Sequence, residues 1–143
     1  MTSKELVKLA LEKWRFPVLD EKENTIVIRY QMNYVHITSL REDSNSIAVL
    51  LTNIFSAEDE REERLGLKTC NDLNCSMMQV KFYIDDDNDM IISSEFFYTT
   101  EEAVEGLLNM AFQAVLSGKK QFKSRYNENE AEDRLLQELT EQE

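Results

Sequence analysis

Apolar positions along this chain switch between a helical period and a strand period, and the switches mark out its elements. Leu6, Leu9, Ala10, Lys13 and Trp14 follow helical spacing, with Val7 and Leu11 widening the stripe. Thr2 and Glu5 stand before them in the capping-box relation, each satisfying a backbone donor at the helix start. Pro17 closes the segment, because the residue before a proline is pushed out of the α region. Residues 25–30 and 34–38 are β-branched and aromatic and read as two strands, with Gln31, Met32 and Asn33 long enough for the turn between them. Residues 46–51 are too continuously apolar to face water on one side, which predicts a strand near the centre of a sheet.

A second helix follows, with Ser56 as its expected cap and a first stretch, residues 58–64, made wholly of charge. Acidic residues there suit the positive end of the helix dipole, and Glu60 with Arg64 forms an i,i+4 pair. Leu65, Cys70 and Leu73 supply a thin buried stripe, and Gly66 weakens the middle. From Met77 the period returns to two. Met78, Val80, Phe82 and Ile84 fall on one face of a strand, and Gln79, Lys81 and Tyr83 on the other. Met90, Ile92, Phe96 and Tyr98 alternate in the same way. Thr99 and Glu102 form a second capping box, opening the longest helix, whose buried side carries Val104, Leu107, Leu108, Ala111, Phe112 and Val115. Gly118 marks its expected end or a kink. The predicted order is α-β-β-β-α-β-β-α: an α+β fold with one antiparallel sheet of about five strands and helices gathered on one side.

Charge changes the picture at the C-terminus. Residues 127–143 hold seven acids and one arginine, a formal −6 within a chain whose net charge is −12. They read as an acidic tail, disordered or weakly helical, beyond a domain of residues 1–126. Leu135, Leu136 and Leu139 give that tail the means to dock as a short helix. The net charge argues against nucleic-acid backbone or an anionic membrane as partner, since either needs a positive field. No stretch approaches the roughly 20 apolar residues of a membrane span, and the polar start is not a secretory signal, so the cytoplasm is expected. Cys70 and Cys75 are then reduced thiols.

Candidate chemistry is sparse. Asp85, Asp87 and Asp89 have the 1, 3, 5 spacing of a calcium loop, but Met90 stands where the sharp turn needs glycine and Phe96 where a bidentate Glu is needed. Asp and Asn also collect at hairpin tips, where they tolerate turn dihedrals and bond their own backbone. His36, the only histidine, lies within a strand, with no nucleophile placed beside it by local pattern. Cys70 lacks the electropositive surroundings of a reactive thiolate. Neither a Gly-rich phosphate loop nor a GxSxG or HExxH motif is present. Lys119, Lys120, Lys123 and Arg125 form a basic patch whose expected electrostatic partner is the acidic segment after it, in the same chain or a second copy.

Within residues 67–98, Asn71-Asp72-Leu73-Asn74, Val80-Lys81-Phe82-Tyr83 and the Asp-rich run 85–89 together resemble the YbjN family, named as candidate bacterial sensory transduction regulators. The resemblance spans roughly residues 3–122 and places the acidic run at the turn between the last two strands. The chain departs from the family pattern in its acidic tail and in Asn88, where glycine is expected. The family's fold is similar to that of type III secretion chaperones, small acidic proteins that dimerise and hold extended segments of a partner. The resemblance therefore implies a bacterial, non-catalytic, protein-binding or regulatory module, expected as a homodimer and without a cofactor. Gln79, Lys81 and Tyr83 are its candidate partner-binding surface. The alternative is a small-molecule or metal-ion sensor using the acidic turn or a pocket between sheet and long helix.

Overall fold

The computed structural model describes residues 1–142. Helix α1 (Ser3–Lys13) is followed by strands β1 (Val18–Glu21), β2 (Ile26–Tyr30), β3 (Asn33–Thr38) and β4 (Ser46–Leu51). Helix α2 (Glu60–Ser76), strands β5 (Lys81–Ile84) and β6 (Met90–Phe97), a short 3₁₀ turn and helix α3 (Val104–Glu141) complete the chain. The strands form one antiparallel sheet in the order β1-β2-β3-β4-β6-β5. The fold is α+β as the alternation predicts, with six strands instead of about five. The added strand, β1, is exposed at all four positions and carries no period to reveal it.

Alternate strand residues and one stripe of each helix share a single core. Ile26, Ile28, Val35, Ile37, Val49, Leu51, Phe82, Met90 and Ile92 meet Val7 and Leu11 of α1, Cys70 and Leu73 of α2, and Leu108, Phe112, Val115 and Phe122 of α3. Because successive strand residues point to opposite faces, all three helices cover the same side of the sheet. β4 is central, paired with β3 on one side and β6 on the other, as its continuous apolar run predicts.

Local expectations fail where tertiary contact overrides pattern. Asp59 caps α2, its carboxylate accepting from the Glu62 amide at 2.8 Å, and Ser56 instead bridges to Asp89 across the sheet. Thr99 and Glu102 do not cap α3, which begins only after the 3₁₀ turn at Glu101–Ala103. Gly118 does not end α3, which runs on to Glu141. It lies where the helix crosses the β5–β6 hairpin, and a Cβ there would sit 3.1 Å from Ile92, 3.2 Å from Phe82 and 3.3 Å from Val80. Gly66 plays the same part in α2, against the Phe55 ring at 2.8 Å. Met78, expected on the covered face, is 86% exposed, because β5 begins three residues later.

α3 also runs unbroken across residue 127, where composition suggested a tail; the final residue, 143, lies outside the described residues. Beyond Tyr126, whose ring packs on Phe55 and Phe122, what holds α3 as far as residue 133 is polar. Asn129 is buried against α2 and donates to Thr69 Oγ1 at 3.0 Å and to Asp72 Oδ2 at 3.2 Å, while its Oδ1 accepts from Lys68 Nζ at 3.0 Å. Arg125 reaches Asp72 at 3.0 Å, and Asp133 takes Arg61 at 2.9 Å and Arg64 at 3.2 Å. The basic patch thus finds its acidic partner through Arg125, on α2 at Asp72 and one turn on at Glu128.

Candidate functional site

The face of the sheet away from the helices is uncovered. Register assigns its rows. Val27, His36, Leu50, Ser93 and Lys81 stand opposite one another across five strands. Thr38, Ala48 and Glu95 form a second row, and Ser46 with Phe97 a third pair. Arg29 with Tyr34, and Ile91 with Tyr83, lie toward the other end. Phe97 is 77% exposed, Tyr34 54% and Tyr83 38%, and Leu50 is half-buried between them. Phe97, Tyr34 and Tyr83 thus stand apart on one bare face, each exposed, around a half-buried Leu50.

Of the three candidate residues, Lys81 and Tyr83 lie on this face, in β5. The Lys81 ammonium pairs with Glu95 at 2.8 Å and sits 5.6 Å from the centre of the Tyr83 ring, a cation–π arrangement. That hydrogen bond holds Glu95 below the usual carboxylate range and Lys81 above its own. Ser93, beneath the pair, donates to Glu95 at 3.1 Å and is thereby buried on an otherwise open face. Gln79 precedes the strand, with a left-handed φ of 65° that interrupts the alternation. It shares with Lys81, Ser93 and Glu95 a shallow depression of about 200 Å³ at the sheet margin. Tyr34, Phe97 and Arg29 were not singled out by sequence, since strand alternation does not say which face the helices cover.

His36 stands near the middle of the face, 3.4 Å from Thr52 Oγ1. Burial, and secondarily the nearby Lys22 charge, hold its pKa below the ordinary value, so the ring is neutral at pH 7. No nucleophile is bonded to it beyond that hydroxyl. Cys70 is buried in the core, and burial pushes its thiol up to about 11; Cys75 is exposed, and both are free.

The acidic run is the tip of the β5–β6 hairpin. Asp85 Oδ1 accepts from the amides of Asp87 at 2.9 Å and Asp89 at 3.0 Å, and Asn88 takes a left-handed φ of 62°, which asparagine tolerates. Among the described residues, no group of three or more His, Cys, Asp or Glu side chains is placed to share a metal ion. Between the sheet and α3 the space is filled by Phe82, Phe112, Phe122 and Ile92, all fully buried. A polar cleft of about 710 Å³ lies by the start of α1, but its Glu21 is already held by Lys8 at 2.6 Å and Lys4 at 3.3 Å. No described helix is long and apolar enough to cross a membrane.

No protein-family model matches the sequence, and no curated protein sequence does. Solved structures match the fold. An uncharacterized protein from Methanothermobacter thermautotrophicus aligns with TM-score 0.58 at 18% identity, over 87% of this chain and 99% of its own. YbjN of E. coli, named as a candidate transcription regulator, aligns with TM-score 0.56 at 14% identity, over 92% of this chain and 93% of its own. The Yersinia pestis type III secretion chaperone SycH, solved with a fragment of YscM2, gives TM-score 0.47 at 11% identity, over 78% and 96%. The chain shares the fold of the first two.

Proposed function

We propose that this protein is a cytoplasmic, non-catalytic binding module that acts by docking another protein on the open face of its sheet. Gln79, Lys81 and Tyr83 form one margin of that surface, and the module works as a homodimer. The observation that carries the reading is the bare face itself. In a chain of net charge −12, it exposes Phe97, Tyr34 and Tyr83 around a half-buried Leu50, with Ala48 and Ile91 buried in it, and carries Lys22, Arg29 and Lys81 against Asp20 and Glu95. An apolar patch with balanced charge on an otherwise acidic protein is what a protein partner needs and what a DNA backbone repels. A regulatory role of the kind for which YbjN is named would on this reading run through protein contacts.

The test compares the protein as it stands with a chain carrying Tyr83→Glu and Phe97→Glu, both immobilised and used to capture partners from lysate of the source organism. Quantitative mass spectrometry should show a stoichiometric protein with the first and its loss with the second, at equal melting temperature. Equal capture by both chains would move the docking surface off this face.

A further inference from the structure

Two apolar surfaces of this chain lack a partner, and their free charges are opposite. The first is the open sheet face. Its Lys22 and Arg29, and also its Asp20, have no ion-pair partner among the described residues, which leaves the free charge of this face net positive. The second is the end of α3. This helix lies on the core as far as Phe122 and on α2 as far as Asp133. Among the described residues, none beyond Asp133 makes a hydrogen bond or ion pair with another element. There Leu135 and Leu136 are each 57% exposed and Leu139 53%. On an ideal helix the three leucines fall within about 100° of arc, a narrow apolar stripe. Glu132, Glu138 and Glu141 surround them, also without an ion pair among the described residues.

We propose that these surfaces meet between two copies of the chain: the leucine-bearing end of α3 from one copy lies on the open sheet face of the other, its glutamates near Arg29 and Lys22. The contact is not made within one chain, where α3 packs on the covered side of the sheet and no residue beyond Asp133 bonds to another described element. Repeated in both directions it closes a two-fold dimer, with the same pair of patches used twice. This inference rests on reading the open face as a docking surface and names what docks there. The arm shields the face until a partner of the same chemistry, an acidic leucine-bearing segment, displaces it.

Sedimentation equilibrium at up to millimolar concentration tests it. The expected mass is twice 16.8 kDa. Leu135→Ser, Leu136→Ser and Leu139→Ser together should halve it, and should leave the urea midpoint unchanged at concentrations low enough for both chains to be monomeric, since all three side chains are exposed in the single chain. In a Cys75→Ser background, a chain with Leu139→Cys mixed with a chain carrying Tyr34→Cys or Phe97→Cys should form an oxidative cross-link between the two. A monomer throughout, a dimer indifferent to the leucines, or a Leu139→Cys chain that links only to itself or not at all overturns the inference. Loss of partner capture by the Tyr83→Glu, Phe97→Glu chain in any of those cases leaves the face standing as the docking surface.

Discussion

Replacing Asn129 by alanine asks whether the far half of α3 belongs to the folded body. The side chain is 3% exposed and makes three hydrogen bonds, to Lys68 at 3.0 Å, Thr69 at 3.0 Å and Asp72 at 3.2 Å. Each group it leaves retains another partner: Thr69 still donates to the Leu65 carbonyl at 2.7 Å, and Asp72 keeps Arg125 at 3.0 Å and Lys68 at 3.3 Å. The loss is therefore the net worth of the bonds, about 1 kcal/mol each, without the larger penalty of a stranded buried group. Asn129→Ala should thus cost about 2–3 kcal/mol, a large share of the 5–15 kcal/mol typical of a domain. Urea denaturation reads it as a lower midpoint at unchanged slope, since the surface exposed on unfolding is the same. Asn129→Asp should cost more, because it sets a second carboxylate against Asp72. A loss for Asn129→Ala under about 0.5 kcal/mol, the range of ordinary surface substitutions, would mean that residues 127–141 do not dock on α2 and that the body ends near Tyr126.

The two glycines of α3 should respond with opposite signs. Gly118→Ala inserts a methyl against Ile92, Phe82 and Val80, and overpacking of about 1–3 kcal/mol should outweigh the roughly 1 kcal/mol gained in helix propensity; Gly106→Ala meets nothing within 4 Å and should stabilise, by up to about 1 kcal/mol, in thermal melts. Ellman's reagent at pH 8 should titrate Cys75 alone in the native protein and both thiols in urea, and rapid reaction of two would contradict the buried Cys70. For Asp72, burial opposes ionisation but is outweighed by hydrogen bonds from Asn129, Arg125 and Lys68, so its pKa falls below 3.8 on folding. That contribution is present above the unfolded pKa and lost as pH drops through the lower folded one, so Asp72→Asn should flatten the acid end of the stability curve measured by urea midpoint. Millimolar calcium should leave the melting temperature unchanged, because Asp85 Oδ1 is already taken by two backbone amides; a rise would return the ion-sensor alternative to the front.

Much of the fold was legible because each buried element repeats its period. β2, β3 and β5 alternate, and α1 and α3 carry their stripes, since one side of each faces a single core. The misses share a cause: the determining interaction was not apolar or not local. β1 is an exposed edge held by backbone pairing with β2 and by the ion pairs of Glu21 with Lys4 and Lys8. The end of α3 is fixed by Asn129, Arg125 and Asp133, polar residues whose density in sequence reads as a solvated tail. Gly118 and Gly66 suggest helix breaks by propensity, yet tertiary contact requires glycine at both.

The candidate surface was half legible for a related reason. Period two places Lys81 and Tyr83 together, but it is silent on which face of the sheet the helices take, and the turn at Gln79 breaks it. What does bear on that choice is a departure from the period. An antiparallel sheet covered on one side should read polar on the other. β2 and β3 approach this rule at Arg29, His36 and Thr38, whereas β4 and β6 break it with Ala48, Leu50, Ile91 and Phe97. These two strands are neighbours in the sheet, paired over all of β4, from Ser46 opposite Phe97 to Leu51 opposite Ile92. The continuous apolar run of β4 was therefore a sound sign of a strand apolar on both faces. Only one of those faces is covered within the chain, and the other is the surface proposed above for docking.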